Sequence, residues 1–120
     1  MPRFKDHVKN CEKLGVDKWI CDEVNRYMDE PSQRVLGCAH RKYRHELKDC
    51  LFIAKTLANG KSREEAQKAY YQSFLACLKH IEDDCKKGGE KCNAFLPCNK
   101  VSEMLYNKDL LKRIEGFYRS

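Results

Sequence analysis

The residues with most chemical potential are eight cysteines, at positions 11, 21, 38, 50, 77, 85, 92 and 98 of 120. Thiols at that density can bind a metal, run a redox cycle or close disulfides. Zinc ribbons, zinc fingers and thioredoxin-like redox sites use close C-x2-C pairs, and this sequence has none. An even number of widely spaced cysteines reads instead as a disulfide framework, completed in an oxidising compartment. The other polar groups point to no active site. The run His40-Arg41-Lys42-Tyr43-Arg44-His45 suits phosphate or anionic head groups, but it reads more simply as a solvated helix face. Its histidines, five apart, do not share a metal-binding face as an i, i+4 pair would. Cys38-Ala39-His40-Arg41 lacks the His-Asp pair that a small secreted phospholipase needs beside a cysteine. Glu82-Asp83-Asp84 offers carboxylates to a cation, yet reads as charge near Lys86 and Lys87. No glycine-rich phosphate loop occurs, and no serine or cysteine nucleophile stands beside a base. Neither enzymatic activity, a metal site nor a cofactor is expected.

The elements that position the cysteines read as helices. Val, Ile and Thr are sparse, no alternating run occurs, and Lys, Glu, Leu and Ala dominate. A first helical region covers about 3–29, broken or distorted at Gly15, with Asp17 as a new N-cap. Pro31 marks a turn. A second helix covers about 33–58 and stops at Asn59-Gly60. Ser62-Arg63-Glu64-Glu65 forms a capping box for a third helix, which reaches about 87 and ends at Gly88-Gly89. The stretch 90–99, with Pro97, reads as irregular, and a last helix covers about 102–118. The Asn59-Gly60-Lys61 turn divides the chain into a first hairpin, 1–60, and a second hairpin with a C-terminal helix, 61–120.

In an antiparallel helix pair, facing residues are symmetric about the turn. Cys85 with Cys92 and Cys77 with Cys98 both centre near residue 88, on the glycine pair. Cys21 with Cys38 and Cys11 with Cys50 both centre near residue 30, beside Pro31. The expected bridges are therefore Cys21–Cys38 inside Cys11–Cys50, and Cys85–Cys92 inside Cys77–Cys98. The arms of the first hairpin differ by about 3 Å in helical rise, a gap that a break at Gly15 can supply. The fold class that follows is all-α, with tandem disulfide-stapled antiparallel hairpins and an additional C-terminal helix. Tyr43, Leu47 and Cys50 repeat the spacing of Tyr70, Phe74 and Cys77. That face either packs beside a disulfide or docks the thiol onto an oxidase.

This pattern resembles the coiled-coil-helix-coiled-coil-helix, or twin C-x9-C, family. Cys11-x9-Cys21 matches one arm of its motif, and Cys38-x11-Cys50 matches the other with two more residues. Cys77-x7-Cys85 and Cys92-x5-Cys98 form a looser second copy. The resemblance implies import into the mitochondrial intermembrane space without a cleaved presequence, and trapping there by a disulfide relay. It implies a non-catalytic accessory subunit of a respiratory complex, above all the NADH dehydrogenase (complex I), peripheral to the inner membrane. Copper delivery is not expected, because no adjacent cysteine pair occurs.

The remaining sequence agrees with such a role. The N-terminus, Met1-Pro2-Arg3-Phe4-Lys5-Asp6-His7, shows neither a secretory apolar region nor an acid-poor transit peptide. No apolar run approaches the roughly eighteen residues of a membrane span. The charge is +6, from 24 basic and 18 acidic residues intermixed along the chain, which describes a solvated surface before a binding patch. Leu110, Ile114 and Phe117 lie at i, i+4, i+7 and form the candidate partner-binding face. The expected partners are other protein subunits of a membrane complex, with anionic lipid head groups as a further class and no nucleic acid. An alternative function is a secreted, disulfide-rich helical protein that binds a ligand or receptor, its leader already removed.

Overall fold

Two left-handed glycines set the course of the backbone in the computed structural model, which describes residues 4–29, 47–88, 98–109 and 112–113. The first helix, α1, spans Phe4–Lys13. It closes with Leu14 N–H donating to Cys11 O and Gly15 N–H to Glu12 O, at 3.0 and 2.9 Å. Gly15 then takes a φ of +88°, a conformation that costs other L-residues free energy. The chain reverses there. Asp17 caps α2, Lys18–Asp29, its carbonyl accepting from Ile20 and Cys21 N–H at 3.1 and 3.0 Å. Asp17 N–H itself donates to Gln72 Oε1 at 2.9 Å, which fixes the start of α2 against the longest helix.

The second reversal joins α3, Leu47–Ala58, to α4, Arg63–Gly88. Gly60 sits in this turn at φ +79°. Ser62 caps α4: its Oγ accepts from Glu65 N–H at 3.4 Å and its carbonyl from Ala66 N–H at 2.7 Å. The N-terminal half of the capping box is thus in place. A short helix, α5, spans Cys98–Leu105, beginning inside the stretch expected to be irregular. Among the described residues there are five helices and no strand, so the chain is all-α, as expected.

At 26 residues, α4 is about 39 Å long and packs against each of the other four helices. Its buried face carries Ala66, Ala69, Tyr70, Phe74, Cys77 and Ile81. Small residues near its start let α3 approach closely, and Phe74 fills the space beyond them. The Tyr70 and Phe74 stripe beside Cys77 is therefore core. Its sequence repeat is not a structural one, because Leu47 is exposed.

The staples correct the expected pairing. Cys11 bridges Cys21 and Cys50 bridges Cys77, with Cα–Cα separations of 5.8 and 5.4 Å. Cys11–Cys50, Cys21–Cys38 and Cys77–Cys98 are each incompatible with these bonds. The symmetry rule holds about different turns, Gly15 for the first bridge and the Gly60–Ser62 turn for the second. The break at Gly15 does not adjust the length of a helical arm; it folds α1 back so that Cys11 meets Cys21. The Cys85–Cys92 pair and the side chains of Cys38 and Cys98 lie outside the described residues. Residue 60, expected as a boundary, lies in a turn crossed by the Cys50–Cys77 bridge. One buried cluster running from Val8 to Leu105 crosses it as well.

Candidate functional site

Where α1, α2 and α4 meet, the core is polar. His7 and Asn10 come from α1, Asn25 and Asp29 from α2, and His80, Asp83 and Asp84 from α4. The two imidazoles stack with ring centroids 3.8 Å apart and planes 17° from parallel. Each histidine is 1% exposed. Burial of so many polar groups is costly unless they satisfy one another.

The bridged cysteines bring these groups together. His7 lies one helical turn before Cys11, and Asn25 and Asp29 lie one and two turns after Cys21. His80 and Asp84 lie three and seven residues after Cys77. Every member of this inner set thus shares a helix face with a buried half-cystine. The Cys11–Cys21 bond presses α1 against α2, and the resulting seam closes over α4.

Around His80 the geometry is tight. Asn25 Nδ2 donates to Cys21 O at 2.7 Å, which turns Asn25 Oδ1 toward His80 Nδ1 at 2.6 Å. An amide oxygen only accepts, so His80 Nδ1 carries the hydrogen. The other ring nitrogen, Nε2, faces Asp29 Oδ1 at 3.1 Å and Asp84 Oδ2 at 3.3 Å. Burial lowers the His80 pKa, but the two carboxylates outweigh it and raise the value from 6.5 to about 9.

Around His7 the contacts are looser. Its Nε2 stands 3.2 Å from Asp84 Oδ1 and its Nδ1 3.7 Å from Asp83 Oδ2, yet neither nitrogen makes an aligned hydrogen bond with a described residue. Asp83 also accepts from Asn10 Nδ2 at 3.0 Å and pairs with Lys79 at 3.4 Å. Burial raises the Asp83 pKa, and His7, Asn10 and Lys79 together bring it below the ordinary carboxylate value.

Glu82 does different work. It pairs with Lys79 at 2.8 Å and accepts from Ser102 Oγ at 2.9 Å and Tyr106 OH at 3.2 Å. These bonds dock α5 and its following turn onto α4. The acidic run Glu82-Asp83-Asp84 is therefore buried and divided between two tasks, where the sequence suggested surface charge near Lys86 and Lys87. His7 and His80 carry no motif of their own. Their signal was the helical-turn offset from cysteines, visible only once the cysteines are known to be buried.

The inner set can hold a proton or a cation, and its burial keeps it from an external substrate. The residues expected to contact partners, Leu110, Ile114 and Phe117, lie outside the described residues, as does the basic run 40–45. No family model, curated protein or solved structure matches this chain.

Proposed function

We propose that the protein is a non-catalytic, disulfide-braced helical protein of an oxidising compartment that works by binding other molecules. The observation that carries this reading is the placement of the two bridges. All four of their cysteines are buried, at the seams between α1 and α2 and between α3 and α4. Bonds so placed brace a fold and are poorly suited to redox turnover, which needs an accessible thiolate. The surface adds support. Three open depressions of about 320–330 Å³ flank α1, α2 and α4, and none of the three is lined by a histidine, cysteine or serine. No described helix is long and apolar enough to cross a membrane.

Within that class we favour a secreted ligand- or receptor-binding protein over an accessory subunit of complex I in the mitochondrial intermembrane space. The family pattern behind the mitochondrial reading nests Cys21–Cys38 inside Cys11–Cys50. With Cys11–Cys21 and Cys50–Cys77 in their place, that reading no longer draws support from the bridges. Fractionation of the source cells tests the choice. Recovery from the medium or the secretory pathway supports it; co-migration with a respiratory complex on native gels overturns it in favour of the mitochondrial subunit. Rapid alkylation before lysis tests the wider class, since a native protein with reactive thiols at Cys11, Cys21, Cys50 or Cys77 would contradict it.

A further inference from the structure

The buried seam between α1, α2 and α4 gathers side chains of types that ligate metals, among them His7, Asp29 and His80. His80 has its Nδ1–H tied to the Asn25 carbonyl oxygen at 2.6 Å, and that amide is itself fixed by Cys21 O. An outer hydrogen bond of this kind sets the tautomer and orientation of metal-binding histidines. It leaves Nε2 pointing at two carboxylates, a place where either a proton or a metal ion can supply the positive charge. The second imidazole gives an independent sign. Both His7 nitrogens are buried and neither makes an aligned hydrogen bond with a described residue. Leaving such a group unsatisfied is costly, whereas a metal ion would take the lone pair directly.

The spacing of these atoms is close to that of the ligands of one metal ion. Ligands about 2.0–2.1 Å from a tetrahedral centre are about 3.3–3.4 Å from one another. His80 Nε2 stands 3.1 Å from Asp29 Oδ1, and Asp84 meets the two rings with different oxygens, Oδ2 at 3.3 Å from His80 Nε2 and Oδ1 at 3.2 Å from His7 Nε2. One ligand atom each from His7, Asp29 and His80 lie within 4.8 Å of one another, so the widest edge contracts when an ion enters. Two imidazoles and two carboxylates, without sulfur, form a hard-to-borderline donor set that suits zinc. The rings stack 3.8 Å apart and nearly parallel, so they cannot both aim a lone pair at one ion as they stand; His7, the more loosely held of the two, turns out of the stack as the ion enters.

We propose that His7, Asp29, His80 and Asp84 bind one divalent transition-metal ion, zinc by donor type, at the junction of α1, α2 and α4. The ion is structural. It enters as the helices close, since the ligands are sealed from solvent in the folded chain, and its binding adds to folding stability. The site requires neither a mitochondrial nor a secreted location.

The test uses the full chain, oxidised and folded with Zn²⁺ or with a chelator, then freed of loose metal by gel filtration. Elemental analysis should find about one zinc per chain, and the zinc-loaded form should melt at a higher temperature than the chelated form. His7→Gln and Asp29→Asn, checked for native bridges and helicity, should bind zinc at least about ten-fold more weakly. Cobalt substitution of the unaltered chain needs no variant: it should give a tetrahedral ligand-field spectrum without sulfur charge-transfer bands. Failure to retain zinc, equal retention by folded His7→Gln, or an octahedral cobalt spectrum would each overturn the proposal.

Discussion

In the metal-free chain, burial pulls the His80 pKa down, and the carboxylates of Asp29 from α2 and Asp84 from α4 reverse the effect, raising it from 6.5 to about 9. The folded state therefore binds this proton more tightly than the unfolded state. The associated stability is fully present below about pH 6.5 and is lost as pH rises through about 9, an effect of about 3 kcal/mol at most. Denaturant unfolding with chelator present should show a falling midpoint across that window; a flat profile would contradict the ion pairs of His80. Asn25 is the hinge of the same arrangement, satisfying His80 Nδ1–H and Cys21 O at once. Asn25→Leu should cost about 1–3 kcal/mol, because it leaves buried polar groups unpaired. Thermal unfolding measures it, and a loss well under 1 kcal/mol would show that these groups find other partners. At this scale little was legible in advance. Asp83 and Asp84 were noted as carboxylates able to meet a cation, but a histidine three residues from one cysteine and a histidine four residues from another are unremarkable until those cysteines are buried on converging helices.

At the scale of the element, glycine and cysteine carry different information. Gly15, Gly60, Asp17 and Ser62 each sit where their residue types place them, because turn and cap preferences are local. A β-carbon added at Gly15 or Gly60 meets nothing within 4 Å, so Gly15→Ala and Gly60→Ala should each cost about 1–2 kcal/mol through backbone conformation alone. Gly60→Asn should cost less than Gly60→Ala, a ranking that melting temperatures can check. The disulfide partners were not legible, because a reversal of the chain does not say which faces of the two helices meet. Both candidate pairings obey symmetry about a turn, and side-chain packing decides between them. Cys77 faces α3 because Tyr70, Phe74 and Ile81 build the core on the same side of α4. The Cys50–Cys77 bond closes 27 residues and the Cys11–Cys21 bond closes 10. In the chain-entropy model these are worth about 3–4 and about 2–3 kcal/mol. Removing both cysteines of the longer loop should therefore destabilise the protein more than removing both of the shorter one; the reverse order in urea midpoints would contradict this assignment.

For the whole molecule, the helical class followed from composition, while the division at residue 60 came from treating a turn as a boundary. Packing crosses that turn, since α4 is the common partner of the other helices. Phe74, 1% exposed near the middle of α4, sits within this shared core, and Phe74→Ala should cost about 3–5 kcal/mol in a single cooperative transition. Loss of only one segment's structure would indicate separate units. The central claim is that the bridges fold α1 onto α2 and α3 onto α4, and so assemble the buried histidine and aspartate cluster. A non-reducing tryptic map tests it most directly. Lys13 and Lys18 separate Cys11 from Cys21, and Lys55, Lys61, Arg63 and Lys68 separate Cys50 from Cys77, so only a disulfide can keep either pair of peptides together. The map should join the Cys11 peptide to the Cys21 peptide and the Cys50 peptide to the Cys77 peptide; recovery of Cys11–Cys50 or Cys21–Cys38 would contradict the fold and the site together.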